Sequence, residues 1–155
     1  MSILNNLGLI ATISGGLIAG STLYFTNVEA PSVMRLGVEE YWRYIPLMYY
    51  RAVTQFVSLL SISGLSAFGH VYYHGKNLQS KNIWLTAGSI MIGIMPYTII
   101  FMMPTLKIIR QKEENIVYSL ETKKNLINKL TRLHLLRTIG SCVAFSLMVY
   151  CIAKH

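Results

Sequence analysis

The apolar residues fall into four long stretches, and the segments between them carry most of the charge. Each stretch approaches or reaches the roughly 20 apolar residues that a helix needs to cross a bilayer. The first three contain no Lys, Arg or Glu, and the fourth holds His134 and Arg137 in its first turns. A spanning segment must satisfy its backbone hydrogen bonds internally, so each stretch is predicted to be helical. The predicted helices cover about residues 7–25, 53–73, 83–103 and 133–153.

Composition supports a membrane protein. Apolar residues make up 53% of the 155 residues and charged residues 13%, against roughly 25% charged in an average soluble domain. A soluble domain of this length could not bury that much apolar surface. We therefore predict a single all-α domain over residues 1–155, a membrane-embedded four-helix bundle.

The first stretch has small residues on one face. Gly8, Thr12, Gly16 and Gly20 follow one another at intervals of four. Small residues at that spacing allow a second helix to approach closely in a membrane, where packing drives association. This face is predicted to pack against another helix.

Two of the connecting segments are long. Thr26 to Ala52 is rich in Tyr and Trp, which prefer the headgroup level, so it is predicted to lie along the membrane surface. Pro104 to Arg132 mixes charges with apolar residues at helical intervals. This second segment predicts two helical extensions that leave the membrane and turn near Tyr118 and Ser119.

The net charge of +8 is distributed unevenly between the two sides. Ten Lys and Arg residues lie in the first and third connections, and three lie in the second connection and at the C-terminus. Positive loops stay on the cytoplasmic or matrix side, so both termini are predicted on the opposite side. A mitochondrial inner membrane and an endomembrane both fit. The basic residues do not form one soluble face, which argues against nucleic acid as a partner.

One end of the bundle collects polar residues. Alternate crossings place seven of them at or just below the same interface, and polar groups at this depth are costly unless they pair or line a cavity. Two interpretations stay open: Glu29 pairs with Arg51 or Arg137 and holds the helices together, or the group forms a pocket. Pro96 and Pro104 bend the third helix nearby, which would make room for a ligand. The seven residues are Asn27, Glu29, Arg51, Gln55, Thr98, His134 and Arg137.

No metal or cofactor site is predicted. His70 and His74 lie one turn apart and could share a metal, but all six Glu residues lie on the opposite side, and a catalytic zinc usually has three protein ligands. Phosphate loops, nucleophile elbows, Cys-x-x-Cys pairs and Asp residues are absent from the sequence.

Short motifs in a fixed order resemble the anthrone-oxygenase-like family of small four-helix membrane proteins. Val28-Glu29-Ala30-Pro31 follows the Gly-rich first span, and Tyr50-Arg51-Ala52 precedes the second. Pro96-Tyr97-Thr98 lies in the third span, and His134-Leu135-Leu136-Arg137-Thr138 opens the fourth. Thr105 stands after Pro104, where the family commonly has Asn.

The resemblance implies a chemistry. Fungal members of that family oxidise anthrones to anthraquinones with dioxygen and without metal or flavin. By position, it assigns catalytic roles to Arg51, Thr98, His134 and Arg137. Asn27, Glu29 and Gln55 would then bind the substrate.

Two functions from different classes follow. The first, which the sequence favours slightly, is a non-catalytic component that packs against other transmembrane helices or serves as an accessory subunit of a membrane complex. The second is a cofactor-independent oxygenase for a small lipophilic aromatic substrate. In the second, His134 would be the general base, and Arg51 or Arg137 would stabilise the anion.

Overall fold

The computed structural model describes residues 6–74, 80–110 and 118–154 and contains four long helices in that part of the chain. These are α1 (Leu7–Leu36), α2 (Val38–His74), α3 (Lys81–Arg110) and α4 (Leu120–Ala153). Each is long and apolar enough to cross a membrane, which confirms the all-α, four-span prediction. At 1.5 Å per residue the helices are about 45 to 55 Å long. They therefore extend well beyond a hydrocarbon core of about 30 Å.

The helices form a bundle in which sequence neighbours are also neighbours in space. Helix α1 packs against α2 and α4, and α3 packs against the same two helices. Buried apolar residues form two clusters along the bundle axis. The lower cluster lies in the predicted membrane spans and is centred on Ile18, Leu60, Met91 and Met148. The upper cluster joins the four helical extensions.

The segment from Thr26 to Ala52 forms the end of α1 and the start of α2 and packs against the other helices, so the prediction that it lies along the membrane surface is wrong. Helix α1 continues to Leu36, the chain turns at Gly37, and α2 begins at the next residue. Gly37 has a φ of +124°, which glycine adopts without the strain that a side chain would add. Tyr41 and Trp42 are buried in the upper cluster. Their rings pack between helices there, and this burial replaces the contact with headgroups.

The two extensions predicted around Pro104 to Arg132 are present. Helix α3 continues to Arg110, and Ser119 caps the start of α4 by accepting a hydrogen bond from the Thr122 backbone N–H at 3.2 Å. Tyr118 and Ser119, near which the turn was predicted, are not helical, and residues 111–117 lie outside the described residues. Lys123, 5% exposed, ties the extension of α4 to α2 through Glu39 at 2.8 Å.

The small-residue face of α1 is only partly buried. Gly8 and Thr12 are buried, and a Cβ added at Gly16 would lie 2.9 Å from the ring of Phe145 on α4. Gly20 is exposed, and a Cβ there would meet nothing within 4 Å. The prediction of close packing therefore holds for the first part of the stripe, while Gly20 faces outward. Exposed Leu9, Ile13 and Leu17 provide the outer, lipid-facing surface of the same helix.

A pair of glycine substitutions tests this arrangement. Gly16→Leu is expected to lower the free energy of unfolding by about 1–3 kcal/mol, because the added carbons must displace Phe145. Gly20→Leu is the matched control on the same helix and should have little effect. Thermal unfolding in one detergent measures both. Equal stability of the two variants would mean that α1 does not pack on α4 through this face.

Candidate functional site

A polar layer separates the two apolar clusters. It consists of hydroxyl, imidazole and guanidinium groups on α1 and α4, and His134 in it is 5% exposed. Two of the four helices, α1 and α3, contain a π-helical turn near this level: Phe25–Glu29 in α1 and Thr98–Met102 in α3. Such turns are rare and occur often at functional sites. The members of the polar layer are Thr22, Thr26, His134, Arg137, Thr138 and Ser141.

Threonine hydroxyls hold the imidazole of His134. Its Nδ1 lies 3.1 Å from Oγ1 of Thr26 and 3.3 Å from Oγ1 of Thr138, and those two hydroxyls lie 2.9 Å apart. The ring also packs against Phe25, with centroids 4.3 Å apart and the two planes tilted by 44°. No described residue forms a hydrogen bond with Nε2. One nitrogen of the ring is therefore fixed by the protein, and the other has no hydrogen-bond partner among the described residues.

The same network continues towards the membrane centre. Oγ1 of Thr22 lies 3.0 Å from Oγ of Ser141, and that serine donates to the carbonyl of Thr138 at 2.9 Å. Thr138 donates to the carbonyls of His134 and, more weakly, Thr22. These contacts join α1 to α4 and satisfy groups that would otherwise be costly at this depth.

Arg137 lies one turn after His134 on α4. Its guanidinium carbon is 4.4 Å from the ring centroid of Phe56 on α2, a cation–π contact. Its Nε is buried and has no hydrogen-bond acceptor among the described residues. The ion pairs in the described part of the chain join Arg43 to Glu40 and Lys123 to Glu39, so Arg137 takes part in neither. A half-buried cation without a carboxylate among the described residues is suited to an anionic ligand.

Glu29 has a different partner from the two considered in the sequence. The hydroxyl of Tyr44 donates to its carboxylate, and the described ion pairs do not include Glu29. The hypothesis that Glu29 pairs with Arg51 or Arg137 is therefore wrong. The cause is geometric. The start of α2 packs beside the end of α1, and there the hydroxyl of Tyr44 reaches the carboxylate of Glu29.

Three of the seven predicted residues lie on the outside of the bundle. Asn27, Arg51 and Gln55 are exposed. Arg51 and Gln55 share a helix face with Leu47, whose exposure is 69%, while Phe56 takes the inward position. The structure thus keeps His134 and Arg137 together in the polar layer and places Glu29 at its edge.

Thr98 is half-buried in α3, but its hydroxyl donates to the carbonyl of Ile94 on its own helix at 2.8 Å. The preceding residue, Tyr97, contacts α4 next to the polar layer. Tyr97 donates its hydroxyl hydrogen to the carbonyl of Leu133 at 3.0 Å and so fixes α3 to α4 one turn before Arg137. The motif Pro96-Tyr97-Thr98 indicated this part of α3. Its spacing alone did not show that Tyr97, and not Thr98, forms the contact with α4.

The sequence analysis did not predict that Thr26 and Thr138 contact the imidazole of His134. Thr138 follows His134 by four residues and therefore shares its helix face, which was a usable signal. Thr26 is 108 residues away from His134, and no local pattern connects them.

The two remaining histidines of the described chain lie at the opposite end of the bundle. The rings of His70 and His74 are 5.1 Å apart, and His70 also meets Trp84 at 4.9 Å. The described residues contain no group of three His, Cys, Asp or Glu side chains that could hold a metal. The pair is therefore packed among aromatic residues, far from the polar layer.

Comparisons with known proteins connect this geometry to a family. The model of the anthrone oxygenase family matches residues 46–147, which confirms the resemblance drawn from the short motifs. The match includes His134, Arg137, Tyr97 and Phe56, and it leaves all of α1 outside. No curated protein and no solved structure matches the chain.

Proposed function

This chain belongs to the anthrone oxygenase family, and we propose that it oxidises a small, lipid-soluble, anthrone-like aromatic compound with dioxygen in the polar layer. One observation carries the proposal. Among the described residues, the buried His134 has one ring nitrogen held by two threonines and no partner for the other, and the neighbouring Arg137 has no carboxylate. Groups left unsatisfied at membrane depth are functional by default.

The hydrogen bonds around His134 favour the tautomer that a base requires. Thr138 donates its hydroxyl hydrogen to the carbonyl of His134 at 3.1 Å, so its oxygen can accept from Nδ1–H at 3.3 Å. With the proton on Nδ1, Nε2 carries the lone pair. This nitrogen would remove a proton from the methylene carbon of the substrate.

The resulting anion carries its charge on the ring oxygen, and Arg137 supplies N–H donors for that oxygen. Phe25 and Phe56 place aromatic rings beside the imidazole and the guanidinium, which suits a flat substrate. Dioxygen is the oxidant. The methylene carbon loses two hydrogens and gains one oxygen atom, and the second oxygen atom leaves as water, so one substrate and one dioxygen give one quinone and one water.

Turnover by the purified full-length protein tests this proposal. Dioxygen uptake and quinone absorbance should rise together above the autoxidation measured with heat-denatured protein. A folded protein that gives only the background rate with anthrone-like substrates would contradict it.

A second function is favoured by a separate observation. The hydroxyl network from Thr22 to His134 ties α1 to α4 within the chain, so the polar layer can serve packing alone, as in a non-catalytic component of a membrane complex. Purification in mild detergent distinguishes the two, because an accessory subunit should come out with its membrane complex and an oxygenase should be active alone.

We also propose that both termini lie opposite the side that carries the helical extensions, because ten of the basic residues fall on that side. Tags at the two termini should therefore be protected from protease together in sealed vesicles, and a tag inserted after Ser119 should show the reverse. Termini found on different sides would contradict an even number of crossings.

A further inference from the structure

A second cationic site lies on the upper half of the bundle, away from the polar layer. The guanidinium of Arg110, at the end of α3, contacts the rings of two adjacent tyrosines of α2, with its carbon 4.5 Å from the ring centroid of Tyr49 and 4.6 Å from that of Tyr50. One of its Nη atoms donates to the hydroxyl of Tyr50 at 2.9 Å. We call these three residues the Arg110 cradle. We propose that the cradle binds the phosphate of an anionic phospholipid.

The cradle holds the guanidinium in a fixed orientation. The rings of Tyr49 and Tyr50 meet nearly edge to face at 72°, and the hydroxyl of Tyr49 is itself engaged with the sulfur of Met103 at 3.4 Å. Stacked and bonded on one side, the planar group is preorganised to present its remaining Nη–H donors to a planar or tetrahedral anion. Preorganisation reduces the entropy lost when a ligand binds.

The charge in the cradle is not neutralised by a carboxylate of the described residues. The two ion pairs in that part of the chain involve Arg43 and Lys123. An arginine has five N–H donors, and the described residues accept one of those of Arg110. Two further basic side chains are exposed close by in sequence: Arg51 follows Tyr50, and Lys107 lies one turn before Arg110. Among the described residues, the charged side chains next to the cradle in sequence are therefore basic, which favours an anionic ligand.

The level of the cradle identifies the ligand as a lipid. Tyr50 and Tyr72 are both largely exposed on α2 and are about 33 Å apart along the axis, close to the thickness of the hydrocarbon core. Exposed tyrosines at this separation mark the two interfaces. The guanidinium therefore lies at the headgroup level. Val57, which shares a face with Tyr50 two turns towards the membrane centre, is exposed to an acyl chain.

Thermal stability of the full-length protein in neutral detergent tests the site. Short-chain phosphatidylglycerol should raise Tm more than short-chain phosphatidylcholine at the same concentration, with Trp fluorescence as the readout. Arg110→Gln should weaken the apparent affinity for phosphatidylglycerol by about fivefold to tenfold, as expected for the loss of one basic contact at the membrane surface. Arg43→Gln is the matched control, because Arg43 is an exposed arginine on α2 outside the cradle.

A charge-conserving variant and a phosphate control complete the experiment. Arg110→Lys keeps the charge without the planar fork and should retain part of the lipid effect, which also covers the case that Arg110→Gln fails to fold. Inorganic phosphate should not reproduce the shift, and a shift as large as that of the lipid would overturn the assignment to a lipid. Equal responses to the two lipids, or equal losses in Arg110→Gln and Arg43→Gln, would overturn the site itself.

Discussion

Replacing His134 with Gln is expected to reduce turnover of an anthrone-like substrate by about 10²- to 10⁴-fold, the range that general base catalysis supplies. Gln can still form hydrogen bonds with Thr26 and Thr138, the two partners of Nδ1. It cannot take up the substrate proton. The free energy of unfolding should therefore change by no more than about 1 kcal/mol, a typical net value for one hydrogen bond.

The matched control for this experiment is His70→Gln, which makes the same chemical change at the other end of the bundle. His70 packs against Trp84 and His74, and turnover should stay at the parent level. Dioxygen uptake measures activity, and thermal unfolding measures stability. Parent-level turnover in a folded His134→Gln protein would remove His134 as the base. A large loss of stability in a protein that never shows turnover would favour the packing function.

Replacing Arg137 with Met is expected to separate stability from activity. A guanidinium that has a buried, unbonded Nε and no carboxylate among the described residues is costly to bury. Met has a similar length and can pack against Phe56 through its sulfur. The variant should thus be at least as stable as the parent. Turnover should fall by about 10²- to 10³-fold, the usual effect of removing one donor to a developing oxyanion.

Lys123→Met provides the comparison on the same helix. Lys123 is buried and bonds to both carboxylate oxygens of Glu39, at 2.8 and 3.1 Å. Removing one partner of a buried pair costs about 3–5 kcal/mol, and less here because Glu39 is half exposed. The Tm of Lys123→Met should therefore be lower than that of the parent. The Tm of Arg137→Met should be equal to or higher than that of the parent. If Arg137→Met is destabilised as much as Lys123→Met, Arg137 holds helices together and has no need of a ligand.

The number and type of the helices followed from hydropathy, because lipid cannot satisfy a backbone hydrogen bond and leaves helices as the simplest spanning structure. The helical extensions of α3 and α4 were also predicted, since Ile109 and Ile127 recur at helical intervals among charges. The extension of α1 and the start of α2 were not. Tyr41 and Trp42 are equally suited to the headgroup level and to an apolar core, and only the other two extensions provide that core.

The candidate site was likewise predicted only in part from the sequence. The sequence by itself determined that His134 and Arg137 lie one turn apart at the mouth of the fourth span, and that several other polar residues reach the same level. It left a packing component and an oxygenase both open. A helical period states which residues share a face, but not which face turns inward. For this reason Asn27, Arg51 and Gln55 could not be separated from the residues of the interior.

The tertiary structure decided the contacts between residues distant in the chain. In it, Thr26 contacts His134, and Glu29 accepts a hydrogen bond from a tyrosine where an arginine was expected. The guanidinium of Arg137 packs against Phe56 and has no carboxylate partner among the described residues. These outcomes depend on how four helices rotate and slide to fill two apolar clusters at once. Such packing is a property of the whole bundle, and no local pattern of residues contains it.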